Sequence, residues 1–161
     1  MRILYLFLIL LFSITSNTRA QSWESTIWLP KEYKSERISS YDITGGNNDY
    51  ITIGKGERKT IADIKGSGVI KHIWITLNSK DLMVRRNTVI RFYWDGNDKP
   101  AVEVPLGDFF GQGWGEEYNL ISAPLVVAPK KGKAMNSYFP MPFESSAKIE
   151  IENEGDVEIP N

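Results

Sequence analysis

Three stretches of this 161-residue chain gather the side chains that grip a polyhydroxylated ligand. Residues 39–50 set Tyr41, Asp42, Asn47, Asn48 and Asp49 around Gly45 and Gly46. Glycine lets backbone approach a ligand closely, and Asp and Asn side chains can hold hydroxyls. The same residues are ordinary turn formers, so the competing reading is a loop that caps itself. Tyr93-Trp94-Asp95-Gly96 offers Trp94 as a stacking face for a sugar ring, against its use as a strand-end Trp closing a core. Residues 104–118 bring Asp108, Phe110 and Trp114 together with four glycines and with Phe109, Glu116 and Glu117. Aromatic faces suit the C–H surfaces of sugars and carboxylates suit their hydroxyls, so this stretch reads either as a carbohydrate cleft or as a long loop plugging one end of a sandwich.

Paired carboxylates are the tool of glycoside hydrolysis, one as acid and the other as nucleophile or base. Asp42, Asp49, Asp108, Glu116 and Glu117 are the acids within these stretches, and spacing alone selects no pair among them. The single histidine, His72, limits a Ser-His arrangement to one candidate and fits a hydrogen-bonded strand residue better. Asp49, Asp95 and Asp98 form no calcium-loop pattern. Lys130-Lys131-Gly132-Lys133 reads as a solvated turn. No cofactor is expected.

The elements that must position these residues read as strands. Lys59 to Ile64, Val69 to Leu77, Thr88 to Trp94 and Ala147 to Glu152 carry β-branched, aromatic or alternating patterns. Val69, Ile73, Ile75 and Leu77 line up as one apolar face of a long strand. Asp95-Gly96-Asn97-Asp98 is a turn, so residues 88–104 make a hairpin. Only Ser79 to Arg86 suggests a helical turn. Strands at this spacing with turn-rich joins predict an all-β chain, a jelly-roll-like β-sandwich. Val157-Glu158-Ile159 reads as the start of a hairpin's second arm, which favours a chain that is the N-terminal part of something longer, against an edge strand that happens to come last.

Composition narrows the function class. The chain has 42% hydrophobic and 24% charged residues, enough apolar content for one domain with a core. A formal net charge of −1 lacks the basic excess of a nucleic-acid binder. The absence of cysteine excludes a disulfide framework, a thiolate metal site and a cysteine nucleophile. Arg2, an apolar run from Ile3 to Phe12 and the small residues before Gln21 have the layout of a signal peptide over 1–20. The apolar run is about 12 residues, roughly 18 Å as a helix, against a ~30 Å hydrocarbon core. The expectation is a mature domain over 21–161 in the periplasm or outside the cell, with no membrane contact after cleavage.

Five strings resemble glycoside hydrolase family 172: Ile38 to Asp49, Gly68 to Trp74, Tyr93 to Gly96, Val102 to Gly111 and Asn136 to Phe143. Each alone is modest, and their order over about 110 residues is what makes the likeness specific. The resemblance implies two successive jelly-roll sandwiches, of which this is the first, assembled as homo-trimers or hexamers. It implies a furanoside substrate, fructofuranoside or arabinofuranoside, cleaved with retention by two glutamates. In the family these glutamates lie in the second half of the chain, beyond this sequence, so Glu103, Glu116 and Glu117 inherit no catalytic role. Sugar-cleft lining by the loops around Asp42–Asp49 and Asp108–Trp114 is what carries over. The alternatives are a non-catalytic carbohydrate-binding sandwich and a fragment that does not fold alone.

Overall fold

A computed structural model describes residues 28–160. The expected leader at 1–20 lies outside the described residues. The chain divides into two units, Met1–Arg37 and Ile38–Asn161. The described part of the first, residues 28–37, is exposed and carries no strand or helix.

Among its described residues the second unit holds ten strands: β1 (Arg58–Lys65), β2 (Gly68–Ile70), β3 (Ile73–Thr76), β4 (Thr88–Trp94), β5 (Val102–Pro105), β6 (Leu120–Ile121), β7 (Leu125–Ala128), β8 (Ala134–Ser137), β9 (Met141–Phe143) and β10 (Ser146–Asn153). Two helical turns, α1 (Val84–Asn87) and α2 (Leu106–Phe109), and a 3-10 turn (Gly113–Gly115) join them. One sheet has the order β1-β10-β4-β5, a second β3-β8-β7-β6, and β2-β9 form a short ribbon. Every pairing is antiparallel. The chain is therefore the expected all-β sandwich, with an early strand wrapped against a late one in both large sheets, as in a jelly roll.

Period-two patterning builds the core. Ile90 and Phe92 on β4 stand opposite Ile151 and Ile149 on β10, all facing inward. Ile73, Met135 and Val127 come from the second sheet into the same cluster, which Leu106 and Phe110 of the α2 region complete. The outer face of the first sheet is charged. Arg91 on β4 sits under Glu152 at 2.5 Å, Glu103 at 3.0 Å and Glu154 at 3.4 Å. Lys148 lies 4.1 Å from the centre of the Tyr93 ring and bonds Glu150 at 2.8 Å.

Two expectations change. Residues 69–77 are not one strand: β2 pairs with β9 and β3 pairs with β8, and the chain crosses between them at Lys71-His72. The crossing inverts the alternation, so Val69 is exposed while Ile70 and then Ile73 face the core. Val157 to Ile159 does not return along β10. Ile159 instead exchanges two backbone hydrogen bonds with Ile53, at 2.9 and 3.0 Å, and both are buried. The Asn153 amide secures this closure by donating to the carbonyls of Ile53, Gly54 and Val157.

Candidate functional site

The end of the β4–β5 hairpin leads straight into α2, and the chain then makes a tight loop through Gly111, Gln112 and the 3-10 turn. Two side chains hold that loop. Gln112 is completely buried and its amide donates to the Tyr118 carbonyl at 2.7 Å. The Tyr118 hydroxyl donates to the Gly111 carbonyl at 2.7 Å and accepts from the Gly113 N–H at 3.2 Å. Gly115 is favoured by its conformation: its φ is +73°, a left-handed state that side-chain-bearing residues rarely adopt.

The loop presents Trp114 in an unusual state. Its φ is 60° and ψ 17°, the left-handed region, and the residue is 85% exposed. An L-residue held there costs roughly 1–2 kcal/mol, and a side chain so exposed recovers little of it by burial. Such strain at an exposed aromatic points to a surface role. Beside it lies an open groove of about 400 Å³ lined by Met83, Arg86, Asp108, Gly113 and Trp114. Arg86, from α1, makes an ion pair through Nη1 with Asp108 Oδ2. The groove thus offers one aromatic face, one carboxylate and one guanidinium, the donor and acceptor set for a hydroxylated ring.

The other sequence candidates fall elsewhere. Phe110 is completely buried in the core, edge-on to Phe109 at 4.9 Å, and so faces away from any ligand. That removes it from the set of sugar contacts; it belongs to the plug at the bottom of the sandwich. Trp94 is half-buried and lies parallel to Phe143 at 6.4 Å and 5.7 Å from Phe92, which is the core-closing role. The loop of Tyr41, Asp42, Asn47, Asn48 and Asp49 is exposed and largely satisfied by itself. Asp42 accepts from the Thr44 hydroxyl at 2.7 Å, the Thr44 N–H at 2.9 Å and the Asn48 N–H at 3.2 Å. These bonds, the Thr44 hydroxyl first, hold the Asp42 carboxyl below its ordinary range. Asp49 accepts from the Asp42 N–H at 2.8 Å.

Asp95 is likewise a structural cap. Its carboxylate takes the N–H groups of Glu144, Ser145 and Ser146 at 2.9, 2.8 and 3.3 Å, chiefly Ser145, and its pKa is lowered by them. Among the described residues no group of three or more Asp, Glu or His could hold a metal ion, and no described helix is long and apolar enough to cross a membrane.

Of the sequence candidates, the structure brings together Asp108 and Trp114. Sequence reading missed Met83 and Arg86, which arrive from α1 and the residue before it, more than twenty residues upstream; no spacing rule links them to Asp108. It also passed over Gln112 and Tyr118, whose polar atoms inside a glycine-rich stretch were the available sign of a clamped loop.

Residues 44–161 match the family model described as GH172 domain-like. Heparanase-like protein 2 of Arabidopsis thaliana is 34% identical over 65 residues, covering 40% of this chain and 12% of that protein. The match therefore spans a small part of that relative's length.

Proposed function

Because this chain belongs to the GH172 domain-like family, we propose that it is the sugar-holding sandwich of an exported glycoside hydrolase acting on furanosides. Its glycoside hydrolase-related character comes from the family. The reading of the groove rests on one observation: Trp114 is kept exposed in a strained backbone state beside the Asp108–Arg86 pair. The indole would cover the apolar face of a sugar ring. Arg86 would donate to ring hydroxyls while Asp108 accepts from them, and their mutual ion pair would fix both before binding.

A retaining mechanism needs two carboxyl groups about 5–5.5 Å apart. Among the described residues the groove is lined by one carboxylate, Asp108, already engaged by Arg86. This supports the view that the two catalytic glutamates come from outside this chain, and that this chain positions substrate for them. The leader at 1–20 would export the protein to the periplasm or beyond, and assembly into homo-oligomers would follow the family pattern.

The same neutralised carboxylate suits a non-catalytic carbohydrate-binding module. Purified chain titrated with arabinan and fructan oligosaccharides separates the outcomes. Binding that weakens about tenfold or more in Trp114→Ala, the size of one lost aromatic contact, supports the groove. Parent affinity in that variant would remove it. Turnover of an aryl arabinofuranoside by the chain alone would refute the external glutamates.

A further inference from the structure

The two large sheets present opposite outer faces. The first is a lattice of Arg, Lys and Glu; the second carries none of them. Pairing register sets its outward rows. His72 stands beside Tyr138, Trp74 beside Asn136, Val126 and Ile121, and Thr76 beside Ala134 and Ala128.

The aromatic groups keep to the β3–β8 side of this face. Trp74, on the edge strand β3, is 57% exposed. His72 and Tyr138 stack at 4.6 Å with their planes within 8°. The Asn136 amide is fixed between the Val126 carbonyl and the His72 ring. Its Nδ2 donates to the Val126 carbonyl at 3.1 Å, which turns Oδ1 toward His72 Nε2 at 3.0 Å. Oδ1 can only accept, so in this contact the ring nitrogen Nε2 is the donor. From His72 to Thr76 the strip runs roughly 13 Å along the strand. At Thr76 it enters a second groove of about 380 Å³, lined by Tyr50, Thr76, Leu77, Asn78 and Lys133.

We propose that this strip, from the His72–Tyr138 pair past Trp74 and Asn136 into the Thr76 groove, is a second saccharide-binding track that takes a neutral oligosaccharide chain lengthwise. Flat aromatic faces alternate with hydrogen-bonding groups along one line, as the apolar and hydroxylated surfaces of a sugar chain alternate. From His72 to Thr76 the strip carries no Asp, Glu, Lys or Arg and imposes no desolvation of charge on a neutral ligand; Lys133 lines only the groove at its far end. Stacking and the fixed amide hold the contact groups in place before binding, which lowers the ordering cost. The aliphatic Val126 and Ile121 lie off this line, toward the β6 edge. The track rests on the carbohydrate reading of the family but uses no residue of the Trp114 groove, so the two can fail separately.

The test is retention of the full chain on native gels containing arabinan, inulin or dextran, with heparin as an anionic control. The parent is expected to be retarded by at least one neutral polymer and not by heparin. Trp74→Ala should weaken retention about tenfold, the effect of losing one aromatic contact, while Trp74→Phe keeps most of it. The thermal transition should stay in place, because Trp74 is exposed; if Trp74→Ala unfolds, Tyr138→Ala carries the same reading. Parent-like retention in a folded Trp74→Ala chain overturns the track. So does a Trp74→Ala variant that changes oligomeric mass with retention intact, since the face is then an interface between protein chains. Loss of retention in Trp114→Ala but not Trp74→Ala keeps the groove and removes the track; the reverse keeps the track and removes the groove. No neutral-polymer retention by the parent removes both.

Discussion

Replacing Trp114 by Gly and by Ala separates the backbone of the candidate groove from its side chain. At φ 60° the Cβ of any L-residue is strained, by roughly 1–2 kcal/mol, and only glycine is released from it. Glycine loses about 0.5–1 kcal/mol more backbone freedom on folding than Ala. The difference leaves Trp114→Gly about 0.5–1 kcal/mol more stable than Trp114→Ala, which for a domain of this size is roughly 2–5 °C in Tm. Because the indole is 85% exposed, Trp114→Ala itself should lie close to the parent. Calorimetry on the three chains, together with sugar titration, is the assay. The expected pattern is stability rising in the glycine variant while sugar binding falls in both. A glycine variant several degrees less stable than the alanine variant would refute the reasoning. It would mean that the loop needs the rigidity of a side-chain-bearing residue, and that the strain is not held for the sake of the exposed indole.

Three other outcomes follow from the same geometry. Phe110→Ala should cost about 3–5 kcal/mol, read from the urea midpoint, because a fully buried aromatic leaves a cavity; an unchanged midpoint with lost sugar binding would return Phe110 to the site. Arg91→Met should destabilise by about 1 kcal/mol, since Glu103 and Glu154 lose their cation while Glu152 keeps Arg58, and added salt should restore part of the midpoint by screening the residual repulsion. Asp95→Asn should lower Tm at neutral pH. The folded-state pKa of Asp95 lies below its ordinary 3.8, so its charge stabilises the fold above that value and the contribution disappears as pH falls through the folded pKa. Melting curves of parent and variant should therefore converge in acid; a gap constant with pH would deny the charge any part in the cap.

The sequence was informative wherever a structural demand is local. β1, β4 and β10 are seven or eight residues long, long enough for alternation to declare which side is inward. The turn after Trp94 was legible because Asp-Gly-Asn-Asp admits few other conformations. β6 to β9 are two to four residues each, too short for a period to register. The stretch 69–77 misled because its alternation continues across a change of sheet: the parity of Val69 and Ile73 is real in the sequence, but the crossing at Lys71-His72 reverses which parity faces the core.

Read alone, the residues established an all-β sandwich, the family likeness and the stretches rich in aromatic, acidic and amide side chains, because strand alternation and turn chemistry act between near neighbours. Only the folded chain decided which aromatic rings meet water. Phe110 and Trp114 lie four positions apart in one glycine-rich stretch, yet one is sealed in the core and the other stands on the surface. Exposure is settled by what distant strands and helical turns bring alongside, as α1 and the Met83 before it come to Asp108 and Trp114, and no local spacing encodes that meeting.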